Sequence, residues 1–435
     1  MFKKFWRYVF PSMLAFAFSG LYAIVDGFFV GRSTGDVGLA AINIAYPLTA
    51  LIQAVGTGIG MGGAIPLAVA RGGDDTKKER ALLGNTLILL LIACLLILGG
   101  LLLCYRPLLR LLGAQGDVLE AAADYIRIII LGSAFQILAT GFTPMLRNYE
   151  ASLLAMLAMV GGFVTNIVLD AWFVAGLQLG VAGAALATII GQAVTALPCI
   201  LFVLRKTRFL DRGDFLLHSG LVRQVLSTGL SPFGLAMSPN IVLLLINRSA
   251  VAYGGDAAVA AYAVVAYVHC IVLLLLQGVG DGCQPLISFH LGKGEAREAR
   301  AARNIAYATA LALSAVYVVI AFAVRDAVSP LFGASDAAAQ IVRHALPVFA
   351  AGAPAIAVCR ITTSYFYSIR RNSLSYLLVY GELVVLFLLL QFVLPPLLGL
   401  DGVWLSPPAA QAALALVSIV LIAAAARQAR RRAAA

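Results

Sequence analysis

The chain consists of long apolar runs separated by short polar segments. Neither the stripe of a surface helix nor the alternation of a half-buried strand dominates. Each run is apolar on all sides, as in segments that cross a bilayer. Twelve can be marked, at about 9–32, 39–70, 81–104, 118–146, 151–174, 183–204, 219–250, 257–291, 301–324, 337–366, 373–396 and 403–426. A hydrocarbon core of ~30 Å needs about 20 residues per span, and the longer runs have room to tilt. The pattern predicts an all-α membrane protein of twelve transmembrane helices.

The runs repeat. Pro11 to Leu39 matches Pro232 to Ala260, which sets Asp26 opposite Asn247. Gly58, Gly60 and Gly62 match Gly278, Gly280 and Gly282, and Leu111–Ala114 matches Leu331–Ala334. Gly132 meets Gly352, and Thr143 meets Thr363. A nearly constant offset over so much chain signals duplication. Six spans per half give both halves the same orientation. The expectation is a six-helix N-terminal lobe over residues 1–208, a cytoplasmic linker over 209–222 and a six-helix C-terminal lobe over 223–435. A pseudo-two-fold axis along the membrane normal would relate the lobes, with a cavity at their interface.

Composition agrees: 62% of the 435 residues are hydrophobic and 12% charged, against about 25% charged in soluble domains. The net charge of +11 does not point to nucleic acid, because its placement follows the positive-inside rule. Most Lys and Arg fall on one side, in Lys3/Lys4/Arg7, Arg71–Arg80, Arg147, Arg205–Arg223, Lys293–Arg303, Arg370/Arg371 and Arg427–Arg432. The opposite side has Arg32, Arg106, Arg110 and Arg325. Both termini are therefore expected in the cytoplasm. The basic start leads into a run that is long and contains Asp26, so it reads as an uncleaved first span. The six cysteines are scattered without metal-ligand spacing and read as small core residues.

Polar residues inside the runs carry the candidate chemistry, because a carboxylate in hydrocarbon costs about 2.5–3.5 kcal/mol on insertion scales. Asp26 lies ~9 Å inside the outer end of span one. Asn166 and Asp170, four apart on span five, share one helix face. Thr188 on span six and Tyr125 on span four stand at similar depth. Two carboxylates with amide, hydroxyl and phenol oxygens suit Na⁺, with Asp26 and Asp170 as its charged ligands, and equally suit a proton-binding pair. Capping or structural hydrogen bonding is the plainer alternative. In the C-terminal half this cluster is not reproduced. Asp281, Arg360 and Glu382 lie instead in the inner half of spans eight, ten and eleven. Arg360 and Glu382 are expected to form a structural ion pair. Asp281, without an evident partner, either attracts a cationic substrate or touches cytoplasmic water. Gln53 and Gln277 are candidates for a substrate cavity. Gly58-Ile-Gly-Met-Gly-Gly63 fits a dinucleotide fingerprint literally, but it lies inside an apolar span with no preceding strand, so close helix packing explains it better.

Val25-Asp26-x-x-Phe29-Val30-Gly31, Leu39-Ala40-Ala41, the glycine-rich second span, Asn166-x-x-x-Asp170 and Gly278-x-Gly-x-Gly-Cys-Gln284-Pro285 together resemble the multidrug and toxic compound extrusion (MATE) family of the MOP flippase superfamily. They are most similar to its bacterial MepA-like and DinF-like branches. The resemblance implies an antiporter of the bacterial cytoplasmic (inner) membrane that exports amphipathic or cationic small molecules against Na⁺ or H⁺. No cofactor beyond the coupling ion and no obligate partner chain are implied, so a monomer is expected. By the same resemblance Asp26, Asn166, Asp170 and Thr188 match cation-binding positions, with Tyr125 nearby, and Pro11 matches a proline where span one bends. The acids that the NorM-like branch uses in its C-terminal lobe have no match. Asp281 stands where MepA-like proteins usually have glutamine, and His290 where they have asparagine.

The expected function is multidrug efflux by alternating access, coupled in the N-terminal lobe. A flippase for lipid-linked sugars is the nearer alternative, and a membrane-embedded enzyme or a channel the remoter one. No convergent nucleophile, histidine dyad or metal cluster supports an enzyme.

Overall fold

The computed structural model describes residues 1–22, 25, 29, 35, 37–331 and 335–427. Asp26 lies outside the described residues. Regular structure among those described is helical throughout. The main helices are α1 (Phe2–Gly72), α2 (Thr76–Leu111), α3 (Gly116–Leu131), α4 (Ser133–Asn148), α5 (Ser152–Asp170), α6 (Gly180–Thr207), α7 (Ser219–Gly292), α8 (Ala296–Val324), α9 (Asp336–Ala351), α10 (Ala353–Ser368), α11 (Asn372–Leu388) and α12 (Leu400–Ala434).

These helices are the expected spans, divided differently. α1 is interrupted at Gly35 (φ 64°, ψ −163°) and α7 at Gly255 (φ 61°, ψ −157°). Residues with a side chain are almost excluded from that backbone region, so one glycine serves as the turn between two spans. The fourth and tenth spans are bent pairs, by 55° between α3 and α4 and by 40° between α9 and α10. The bends fall at Gly132 and Gly352, where a Cβ would run into Ile189 and Pro408 respectively. Among the described residues, eight helices are long and apolar enough to cross a membrane, or ten if each bent pair is one span. The division of α7 at Gly255 adds one, and the first span, whose outer end lies outside the described residues, completes the twelve read from the sequence. Leucines such as Leu95, Leu96, Leu103 and Leu416 are 67–87% exposed, as a lipid-facing surface requires.

The helices form two compact units. Trp6–Met237 with Ser288–Ala296 make the N-terminal unit, in which α6 packs on α3, α4 and α5. Its glycine-rich run is a helix-packing surface, as expected. A Cβ on Gly60 would strike the backbone of Gly141, on Gly62 the Val225 carbonyl, and on Gly63 the Thr86 side chain. On the basic side, Arg71 donates to the Asn148 carbonyl at 2.5 Å and to Glu150 at 3.2 Å, and stacks 5.3 Å from the Tyr149 ring centre. The segment after α6 docks on α2. Arg80 pairs with Asp211 and Asp214, and buried Asn85 bonds the Leu216 carbonyl and the His218 amide, each at 3.0 Å.

Met1–Phe5, Ser238–Ile287 and Arg297–Ala435 make the C-terminal unit. Here α12 packs on α9, α10 and α11. Phe366, Leu378 and Leu414 form part of the core. An aromatic cluster of Tyr262, Phe349, Trp404 and His269 closes another part, with His269 Nδ1 3.0 Å from the Tyr317 hydroxyl.

Candidate functional site: a polar cavity in the N-terminal unit

On α5, Gly162, Asn166 and Asp170 recur every four residues and share a face. On α6, Thr188, Gln192 and Thr195, spaced by four and then three, also share a face. The helices pass close to each other at Gly162 and Gly191, where a Cβ on Gly191 would lie 2.8 Å from the Gly162 carbonyl. Around this pinch they leave a small cavity with Asn166, Thr188, Gln192 and Thr195 in its lining. Tyr22 and Phe163 also line it, stacked with ring centres 5.3 Å apart.

Asn166 donates through Nδ2 to Thr188 Oγ1 at 3.5 Å, while its buried Oδ1 has no hydrogen-bond partner among the described residues. Asp170 is fully buried and ends α5, where the chain widens into a π-turn over Ala171–Gly176. Such π-turns often occur at functional positions. A carboxylate there is tolerated only with compensating partners or as a site that takes a charge. The amide, hydroxyl and carboxylate oxygens are hard donors of the kind alkali cations prefer, and the carboxyl can instead take a proton. Tyr125 is buried on α3, which packs on α6, but it is outside the cavity wall.

A family model, MatE, matches residues 11–172 and again 232–394. The chain belongs to the MatE family. That the model matches twice also supports the duplication read from the sequence. Among curated relatives, the multidrug export protein MepA of Staphylococcus saprophyticus is 24% identical over 324 residues, covering 74% of this chain and 71% of its own. MepA of Staphylococcus aureus is 21% identical over 429 residues, covering 97% and 93%. Among solved structures, a MATE protein in complex with MaL6 superimposes with a TM-score of 0.88 at 25% identity, covering 96% of this chain and 95% of that one. An outward-facing multidrug-resistance MATE transporter of the MOP superfamily gives the same score and identity over 96% and 94%.

The other residues singled out in this MatE chain have mixed outcomes. Pro11 is buried within continuous helix. Gln53 is exposed and Gln277 half-buried. Asp281 does have a partner: the Tyr367 hydroxyl donates to it at 3.2 Å and is itself 2.8 Å from Ser364 Oγ. The expected Arg360–Glu382 contact pair is not formed. Glu382 accepts instead from Gln411 Nε2 at 2.6 Å, and Arg360 acts on it only through space. His290 pairs with Glu295 at 2.6 Å. Sequence reasoning missed Gln192, Thr195, Tyr22 and Phe163. The signal for the first two was present, since they continue the helical face begun by Thr188.

Proposed function

We propose that this MatE protein is a secondary-active multidrug exporter. It carries amphipathic or cationic small molecules out across the bacterial cytoplasmic membrane as a monomer, in exchange for Na⁺ or H⁺. The observation that carries the reading is the fully buried Asp170, at the end of the helix whose Asn166 lines a polar cavity with Thr188. Asp26 joins Asp170 as the second acid of the coupling site, with Tyr125 beside it and Pro11 as the point where span one bends. Membership of the family supports the transport class, and the name of the MepA relatives supports drugs as cargo.

In the mechanism, the ion binds at Asp26 and Asp170 while the cavity faces outward. Its binding repacks span one and narrows the cavity, which expels the drug. A ligand shifts a conformational equilibrium only through unequal affinity for the two states. The cluster must therefore bind the ion more tightly in the state that has released drug.

The test is efflux of a cationic dye from proteoliposomes under Na⁺ and H⁺ gradients imposed separately, with native protein, Asp26→Asn and Asp170→Asn. One gradient should drive efflux in the native protein, and neither variant should respond to it. Full gradient-driven efflux by the variants would overturn the coupling site. No efflux by native protein under either gradient would overturn the antiporter.

A further inference from the structure

The two copies of the repeat place different chemistry at the same helix crossing. Leu179-Gly180 corresponds to Leu398-Gly399, both glycines having positive φ (59° and 61°). That register makes Gln192 the counterpart of Gln411. On the preceding helix Gly161 corresponds to Gly381, which makes Gly162 the counterpart of Glu382. In the N-terminal unit Gly162 and Gln192 line the polar cavity. In the C-terminal unit the same two positions hold a carboxylate and an amide bonded to each other at 2.6 Å. Asn166, Asp170 and Thr188 correspond to Leu386, Leu390 and Pro407, so the N-terminal ligand set has become hydrocarbon there.

We propose that Glu382, with Gln411, is a proton-binding centre of the C-terminal unit, distinct from the Asp170 cluster. Glu382 stands about 15 Å along α11 from its start at Asn372, deep within the span. A permanent charge at that depth is costly. It is not closed off in an ion pair, because Arg360 makes no contact with it, and Arg360 Nη1 is buried without a hydrogen-bond partner among the described residues. Gln411 serves both protonation states. Its Nε2 donates to the carboxylate. Its Oε1 is buried with no hydrogen-bond partner among the described residues, and becomes the acceptor for the carboxylic O–H once the amide rotates. Proton uptake therefore exchanges one unpartnered end of the Gln411 amide for the other and adds no further unpaired group. A proton from water adds to one carboxylate oxygen, the charge falls from −1 to 0, and no other bond changes. The titratable groups facing Glu382 from α10 are Arg360 and Cys359. From α12 come the neutral Gln411 and, beside Cys359, Ser418.

The test uses the full chain carrying D26N and D170N, which removes the N-terminal acids. Infrared difference spectra are taken between about pH 5 and pH 8, the interval in which a physiological proton switch works. A protonated-carboxyl band should grow on acidification, vanish when Glu382→Gln is added and shift with Gln411→Met. If Glu382→Gln fails to assemble, Glu382→Asp should move the same band. The proposal is overturned if no band in that interval depends on residue 382. It is likewise overturned if the band ignores the change at Gln411, or answers to NaCl at constant pH but not to pH. Removing the N-terminal acids keeps the outcome independent of whether Asp170 couples transport.

Discussion

The two units share a backbone but not a chemistry. Both contain a long helix divided at a single positive-φ glycine, Gly35 or Gly255. Both contain a span bent at a glycine, Gly132 or Gly352. Both widen into a π-turn after the fifth helix of the repeat, at Ala171–Gly176 and Leu389–Val393. Even the left-handed loop residues correspond, Glu150 at φ 65° and Arg370 at φ 61°. The side chains around the α5–α6 crossing and its counterpart do not. Where one unit buries Asn166, Asp170 and Thr188, the other buries Leu386 and Leu390. Helix breaks depend on backbone freedom and close approach, whereas a site depends on a few polar atoms, so one can be kept while the other is replaced.

The largest effect should come from Asp170→Asn. Gradient-driven dye efflux is expected to fall to that of empty liposomes, while the variant elutes like native protein in size-exclusion chromatography. Native-level efflux would remove the functional half of the contrast. Placing an acid at the corresponding position, Leu390→Asp, should restore no coupling. It should cost about 2.5–3.5 kcal/mol, the insertion penalty of a charge in hydrocarbon, seen as a lower melting temperature in detergent.

Gly162→Ala tests the pinch between α5 and α6. Its Cβ would meet the Gly191 carbonyl at 2.5 Å, and overpacking of this kind costs about 1–3 kcal/mol. The C-terminal unit already carries Glu382 at this place, so Glu382→Ala should show no such clash. Equal melting temperatures for Gly162→Ala and native protein would mean that the helices are free to separate there.

The smallest effect concerns a feature of the N-terminal unit, the docking of the inter-helix segment on α2. Burial acts to raise the Asp214 carboxyl, but the Asp211 amide and the Arg80 guanidinium outweigh it and hold it below the usual carboxylate range. A depressed carboxylate stabilises the docked form above its free value, and the contribution fades as pH falls through its folded value. Proteolysis of the 209–218 segment should therefore quicken on acidification below the ordinary carboxylate range, and Arg80→Gln should remove that dependence. A pH-independent cleavage rate in the native protein would refute it.

The spans and the duplication were legible because an apolar run of ~20 residues has few structural uses and because the same residues recur at one spacing. The face shared by Asn166 and Asp170 was legible from helical spacing alone. The partners of Asp281 and Glu382 were not. Spacing tells which residues share a helix face but not which helix stands opposite. Tyr367 lies 86 positions from Asp281, and Gln411 lies 29 from Glu382. Opposite charge made Arg360 the natural expectation, and the fold placed an amide nearer.

The sequence by itself determined the class of the protein, since hydropathy and charge placement act locally and need no knowledge of the fold. The bends at Gly132 and Gly352 were visible in it only as matching positions of the repeat. Only the tertiary structure decided that α5 and α6 meet at Gly162 and Gly191 and leave a polar cavity beside them. It also decided that the same crossing in the other unit is occupied by Glu382 and Gln411. Crossing points depend on the packing of whole helices against one another, and that information is spread over the chain rather than held in any one stretch of it.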